Sequence, residues 1–335
     1  MVPGSLKTDN KKGDVKKLKS FFPIPLKKLR LFKKSIDFLN SLIKKMKKYI
    51  ILSLFCFLTF IIFSIFLGTN CLEVVSRYLK GGNEYLEIWK DACIAYGQEC
   101  SNVNNFFNLM KSYFNSLPYD FAYYIDHGTM AFSYLLPIIT VISGIYFRKY
   151  IETLFPLKAY REKKLLSFML KEMNMESLKY AISIYLSYIL FMIIVCVFVV
   201  PTEPVHSFKY FLTDIFGRNF FYKNVLFYYF TEGTIRFFIV PYIYSFLGIT
   251  FSFLFNKKRD LILEPLILYY GISFIAQFLI GININFVYID PIIIMANQAL
   301  EGYSSILLII STIAIYIICI IIVFAKNKKI EIGVI

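Results

Sequence analysis

The chain has few of the residues on which enzymatic and metal chemistry depend. Its 335 residues include two histidines, one tryptophan and six cysteines, and no two cysteines are separated by only two residues. Structural zinc sites usually contain such cysteine pairs, so we expect no metal site of that type. Neither a P-loop pattern nor a glycine-rich dinucleotide pattern occurs. We therefore expect no cofactor and no enzymatic activity in this chain itself.

Charged side chains are almost missing from six apolar stretches, each 18 to 22 residues long. A bilayer core of about 30 Å is crossed by about 20 apolar residues in a helix. A helix also satisfies its own backbone hydrogen bonds in lipid. The stretches predict an all-α integral membrane protein with six transmembrane helices, at residues 49–67, 130–147, 180–200, 237–255, 261–282 and 305–325.

The segments between the stretches differ sharply in their content of lysine and arginine. Of the 37 basic residues, 29 fall in the segments 1–48, 148–179, 256–260 and 326–335, and the other eight fall in the remaining segments. An excess of lysine and arginine marks the cytoplasmic side of a membrane protein. We therefore expect both termini in the cytoplasm, a multi-pass protein of the cell membrane, and an outer loop at 68–129.

The predicted domain organisation is a basic tail at 1–48, a membrane domain at 49–325 and a C-terminal tail at 326–335. The first tail holds 15 basic and three acidic residues, and its segment 31–48 has the apolar spacing of an interfacial helix. Anionic lipid headgroups are the expected partner; no groove-reading or stacking motif indicates nucleic acid. Translation could also start at Met46, and residues 1–45 would then be an upstream extension. The following apolar run is too long for a cleaved signal peptide, so we expect an uncleaved first span.

A few polar residues near the spans are candidate functional groups. Glu264 stands at the start of the fifth stretch and Gln277 towards its end, which makes them a candidate intramembrane polar site. Glu232 and Arg236 lie just before the start of the fourth stretch, and their spacing of four residues would allow an ion pair on a helix.

His127 and His206 could form a metal site with Asp126 or Glu203, but we expect two interfacial histidines without a ligand role. A lipid-modifying enzyme would need an outer group such as Asp126 with His127, and nothing else in the sequence supports that class.

Three cysteines, Cys71, Cys93 and Cys100, fall in the outer loop. In an oxidising exterior, Cys93 and Cys100 could form a disulfide, which would leave Cys71 without a cysteine partner; the alternative is that these thiols are reduced.

The basic segment between the second and third stretches has the pattern of an amphipathic helix. Leu165, Met169 and Met173 recur every four residues, and charged residues precede and flank them. We expect this helix to lie on the cytoplasmic side and then to turn into the third span.

Three segments of the chain carry a family resemblance: LLPIITVISGIYF at 135–147, YREKKLLSFMLKEMNMESLKYA at 160–181 and YIDP at 288–291. The resemblance, over the layout of residues 46–330, is to the permease subunit of a type-two ABC exporter. It implies a coupling helix that docks on a separate ATPase subunit through Arg161, Glu162, Lys163 and Lys164. It further implies ATP and Mg on that partner, a re-entrant outer hairpin between the last two spans, and a second permease copy or homologue as dimer partner.

The expected function is that of a membrane-spanning permease in an ATP-driven exporter of amphipathic, lipid-like or peptide cargo. Neutral span centres agree with energy supplied by an outside ATPase, because ion-coupled carriers place ionisable groups deep in their helices. The alternative is a polytopic scaffold or sensor that uses the outer loop and the basic tail without transporting anything.

Overall fold

The computed structural model describes residues 46–66, 71–95, 103–116, 120–153, 165–202, 204, 211–295 and 303–331. Within these ranges the chain is helical and contains no β-strand, which confirms the all-α prediction. The basic tail before Met46 lies outside the described residues, and so does the segment 154–164.

Twelve α-helical elements are numbered here along the described chain, and two short 3₁₀ helices follow the eleventh at Ile284–Ile289 and Ile293–Met295. The elements are α1 Met46–Ile65, α2 Cys71–Gly81, α3 Asn83–Ala95, α4 Phe106–Ser116, α5 Phe121–Met130, α6 Phe132–Thr153, α7 Leu165–Phe198, α8 Thr213–Phe216, α9 Arg218–Lys223, α10 Val225–Leu254, α11 Lys258–Ile280 and α12 Ser305–Glu331.

Five of these helices are long and apolar enough to cross a membrane: α1, α7, α10, α11 and α12. A sixth span results if α5 and α6 count as one, since the two are bent by 41° at Ala131. The chain therefore has the helices of a multi-pass membrane protein, with five or six spans. The orientation of its termini stays a prediction from the charge distribution.

Two spans begin well before the residues at which the apolar stretches begin. Helix α7 starts at Leu165 instead of 180, so the amphipathic segment does not turn before the third span but continues straight into it. The cause is the absence of glycine and proline between Leu165 and Phe198. Helix α10 likewise starts at Val225 instead of 237 and passes through a π-helical turn at Ile235–Ile239.

Helices α6 and α10 form the centre of the bundle and cross at two glycines. A Cβ atom on Gly248 would lie 2.0 Å from the carbonyl oxygen of Thr140, and one on Gly144 would lie 2.6 Å from that of Gly248. Ser143 reinforces the crossing by donating to the carbonyl oxygen of Ser245 at 3.1 Å. Small residues are typical of helix crossings in membranes because they let two backbones approach closely.

The segments predicted to lie outside the membrane contain packed side chains. In the segment 201–236, the side chains of Phe211, Phe221, Tyr228 and Tyr229 are buried and belong to one hydrophobic cluster. In the predicted loop 68–129, α2, α3 and α4 are short helices, and the Trp89 indole of α3 donates to Ser112 of α4. Helix α5, placed in that loop by hydropathy, instead packs beside α1 and α7.

Candidate functional site

A cavity of about 550 Å³ lies between α10, α11 and α12, and small-molecule sites in proteins generally measure about 300–1,000 Å³. Most of its wall is apolar. On α12 the lining extends from Leu308 to Ile322, which corresponds to about 21 Å at 1.5 Å per helical residue. The cavity is therefore long and narrow, running along the helices.

The cavity exists because α11 packs mainly on α6 and α12 packs on α10, while α11 and α12 make almost no contact with each other. Between them, the 3₁₀ helix Ile284–Ile289 covers one end and contacts both. At this end α11 is anchored to α6, because the Tyr269 hydroxyl donates to the carbonyl oxygen of Ser133 at 2.7 Å. The wedge left between the two helices is filled by no side chain of the described residues.

Asp290 is the one charged side chain in the described lining, and it stands beside the 3₁₀ helix. It is only 3% exposed. One carboxylate oxygen accepts the backbone N–H of Ile292 at 2.9 Å, and the other lies 3.5 Å from the amide nitrogen of Gln277. This fixes the carboxylate at one end of an otherwise apolar space.

The structure does not bring the two predicted intramembrane polar residues together. Gln277 reaches Asp290, whereas Glu264 is exposed near the start of α11. They are separated by 13 positions of one helix, or about 20 Å. The polar partner of Gln277 is thus Asp290, which belongs to the YIDP motif but was not singled out from the sequence.

The first turns of α7 form a polar hub, which we define as Glu172, Asn174 and Glu176. Glu172 accepts the hydroxyl of Tyr150 on α6 at 2.6 Å. Asn174 accepts the hydroxyl of Tyr316 on α12 at 2.8 Å and also that of Tyr242 on α10, while Glu176 accepts the hydroxyl of Tyr49 on α1. Three side chains therefore tie one end of α7 to four other helices.

The apolar stripe predicted on this segment packs inside the chain. Met169 and Met173 are buried in a cluster with side chains of α6, α10 and α12, namely Phe147, Phe246, Ile249, Cys319 and Val323. Cys319 also lines the cavity, on the adjoining side of α12. The start of α7 is thereby joined to the cavity wall by direct packing.

The predicted pairing of Glu232 with Arg236 is confirmed, with 2.6 Å between their charged groups. Both side chains lie inside α10 and are at most 4% exposed. The guanidinium also lies over the ring of Phe211, 4.6 Å from its centroid. Helix α10 therefore has a buried ion pair in the turns that precede the fourth apolar stretch, because the helix already begins at Val225. The neutrality of the span centres stays a prediction.

Asp126 takes part in a hydrogen-bond network and not in a visible metal site. It accepts the hydroxyl of Tyr229 at 3.1 Å, and Tyr188 in turn donates to the carbonyl oxygen of Tyr229 at 2.9 Å. The neighbouring His127 stacks on Tyr123, with ring centroids 3.9 Å apart. No group of three side chains suited to hold a metal ion occurs in the part of the chain that the structure describes.

The remaining predicted site residues lie mostly outside the described ranges. Arg161, Glu162, Lys163 and Lys164 all fall in the segment 154–164, and Cys100 falls in the segment 96–102. Cys93 lies on α3. Cys71 is buried at the start of α2, and this burial raises the pKa of its thiol to about 11.

Comparison with known proteins gives no relative for this chain: no protein-family model, no curated protein and no solved structure matches it.

Proposed function

We propose that this chain is the membrane-spanning subunit of an ATP-driven exporter of the type-two ABC class, with a separate ATPase subunit and a second permease copy or homologue. The cavity between α10, α11 and α12 holds an amphipathic cargo. The observation that carries the proposal is the unbroken connection from the start of α7 to the wall of this cavity.

The connection begins at the four charged residues that are the proposed contact with the ATPase. Lys164 is followed directly by Leu165, the first residue of α7, and this helix continues without a break to Phe198. A helix of this kind moves as a unit, because its backbone hydrogen bonds resist local bending. Motion of the partner at 161–164 therefore tilts or shifts the whole of α7.

The polar hub and the methionine cluster pass this motion on. Tyr316 and Cys319 on α12 and Tyr242 on α10 all contact the first turns of α7 or the cluster around them. The same two helices line the cavity, and Cys319 belongs both to the cluster and to the cavity wall. A displacement of α7 then changes the spacing of α10 and α12, because a close-packed interior transmits strain instead of absorbing it.

The energetics agree with an external ATPase. The chain has no P-loop pattern of its own, and the described cavity wall contains one charged side chain. The apolar part of an amphipathic cargo enters such a cavity from lipid with little change in its environment. We therefore infer that the free energy for directional movement comes from another subunit. Closure of a paired ATPase on bound ATP supplies it.

The test exchanges two charges at the proposed contact. The double variant Glu162→Lys with Lys163→Glu keeps the net charge but reverses the local pattern. We expect it to insert normally and to lose ATP-dependent transport by the co-purified complex, because the docking charges no longer match. The measurement compares cargo transport and ATP hydrolysis of the complex in proteoliposomes with those of the wild type.

A matched exchange in the other basic segment, Arg259→Asp with Asp260→Arg, serves as the control and should leave transport unchanged. Undiminished transport by the first variant would contradict the assignment of the coupling contact. A chain that purifies from its own cells without any P-loop ATPase would favour the scaffold or sensor alternative.

A further inference from the structure

The carboxylate of Asp290 is buried, and the described residues around it supply only neutral hydrogen-bond donors. These are the backbone N–H of Ile292 and the amide of Gln277. Among the described residues, no lysine or arginine forms an ion pair with it. Burying a carboxylate in apolar surroundings is costly unless a cation compensates its charge.

A second buried carboxylate among the described residues, that of Glu232, has its charge compensated by a cation. Glu232 is as deeply buried as Asp290, but it has the guanidinium of Arg236 at 2.6 Å. Asp290 differs because the space beside it is the cavity and not a basic side chain. The position that a countercharge would take is thus accessible to a ligand.

Aromatic side chains complete a site for a positively charged head. Tyr244, Tyr269 and Tyr288 line the same cavity as Asp290. Aromatic faces attract alkylammonium groups through cation–π interactions, which strengthen as the site loses water. A carboxylate together with several tyrosines is a suitable environment for an ammonium head that carries few or no N–H donors.

The shape of the cavity selects the rest of the ligand. Beyond Asp290 the wall is formed by apolar side chains along about 21 Å of α12, including Leu308, Ile315 and Ile322. A single extended hydrocarbon chain suits such an elongated space in the gap between α11 and α12.

We propose that this cavity binds a cationic amphiphile with one apolar chain, its ammonium head against Asp290 and its chain in the gap between α11 and α12. As a statement about the cargo class, the proposal rests on the proposed export function. As a statement about a binding site, it concerns this chain alone and requires neither ATP nor the ATPase.

The test measures the binding of radiolabelled dodecyltrimethylammonium to the purified full chain in phosphatidylcholine nanodiscs. The wild type is expected to bind the probe saturably at one site. Unlabelled dodecyltrimethylammonium should displace it, whereas dodecyl sulfate and dodecyl maltoside, which have the same chain, should compete at least tenfold less well. The difference isolates the contribution of the positive head.

Asp290→Asn should weaken binding at least tenfold, since it removes the charge but can still accept the N–H of Ile292. Glu264→Gln is the matched control: it removes one carboxylate from the exposed surface of α11 and should not change the affinity. Ala314→Phe should abolish binding while leaving Asp290 in place, because Ala314 lines the cavity and the larger ring occupies the space of the chain.

Equal binding of the three amphiphiles by the wild type would overturn the proposal, and this comparison holds even if Asp290→Asn fails to fold. Unchanged affinity in a folded Asp290→Asn variant would overturn it as well. In either case the export function would stand, because no transport is measured. Conversely, selective binding by a chain that associates with no ATPase would support the site and contradict the export function.

Discussion

At the level of single residues, the chain has buried charge in two different forms. Glu232 and Arg236 neutralise each other inside α10, whereas Asp290 is held by neutral donors at the end of the cavity. The first arrangement is a closed pair that stabilises one packing of the bundle. The second leaves charge available to a ligand. Buried ionisable groups in membrane helices generally mark functional positions, and here only the second faces open space.

Removing one member of the closed pair should destabilise the fold strongly. Arg236→Met leaves the carboxylate of Glu232 buried without its cation, and such losses cost about 3–5 kcal/mol. The double variant Arg236→Met with Glu232→Met should recover most of this loss, because no unpaired charge remains. Thermal unfolding of the purified chain in detergent measures both changes.

The matched comparison is the exposed pair of Glu73 and Arg77 on α2, whose side chains are 58% and 62% exposed. Arg77→Met should change the stability by about 1 kcal/mol or less. A loss of similar size in the two single variants would show that the pair in α10 is not buried as described.

At the level of helices, the close crossing of α6 and α10 depends on two glycines, Gly144 and Gly248. Ser143, Gly144 and Gly248 allow the two backbones to approach until carbonyl oxygens almost touch the opposite helix. This close crossing sets the position of α10, and α10 in turn forms one wall of the cavity. The crossing therefore has a structural consequence for the site, and Thr140, whose carbonyl oxygen meets Gly248, lines the cavity itself.

Gly248→Ala should destabilise the chain by about 1–3 kcal/mol, the usual cost of forcing extra atoms into a packed interior. Its new methyl group would meet the backbone oxygen of Thr140 at 2.0 Å, which cannot rotate away. Gly271→Ala on α11 is the control, because no atom lies within 4 Å of the added methyl group. Alanine favours a helix more than glycine does, so this second variant should be neutral or slightly more stable when both are unfolded by heat. Equal stability of the two variants would contradict the crossing.

Hydropathy predicts which parts of this chain form spanning helices more reliably than it predicts where those helices begin. The apolar stretches identify the spans because soluble domains rarely contain repeated runs of isoleucine, leucine and phenylalanine long enough to cross a bilayer. The starts of α7 and α10 were missed because Glu172, Glu176, Glu232 and Arg236 lower the local hydropathy. In the structure these side chains satisfy one another or bind tyrosine hydroxyls, and the helix continues through them.

The cavity and its carboxylate could not be predicted in the same way. Asp290 was visible in the YIDP motif, but its burial depends on how far α11 and α12 diverge from each other. That divergence results from tertiary packing, in which Tyr269 binds the backbone of α6 and Tyr316 binds Asn174 of α7. No periodicity or residue spacing in the sequence predicts these contacts.

At the level of the whole molecule, the first turns of α7 are connected to the cavity by one route of packed side chains. A polar hub with a methionine cluster binds these turns to α10 and α12, and both helices contribute to the cavity wall. In the sequence, a basic segment precedes α7. We infer that an ATPase acts on this segment and that the cargo responds at the cavity. A substitution of Asn174 can interrupt this route, and the labelling of Cys319 can report motion along it.

The proposed coupling requires that ATP bound by a partner subunit moves the wall of the cavity through α7. Cys319 is suited to report this motion, because it is fully buried between the cluster and the cavity. Its rate of labelling by N-ethylmaleimide can be measured in the purified complex, with and without ATP, by mass spectrometry of the labelled peptide. We predict that ATP changes this rate severalfold in the wild type and has little effect in Asn174→Leu, which cannot accept the hydroxyls of Tyr242 and Tyr316. A rate that ATP leaves unchanged in the wild-type complex would contradict the coupling through α7.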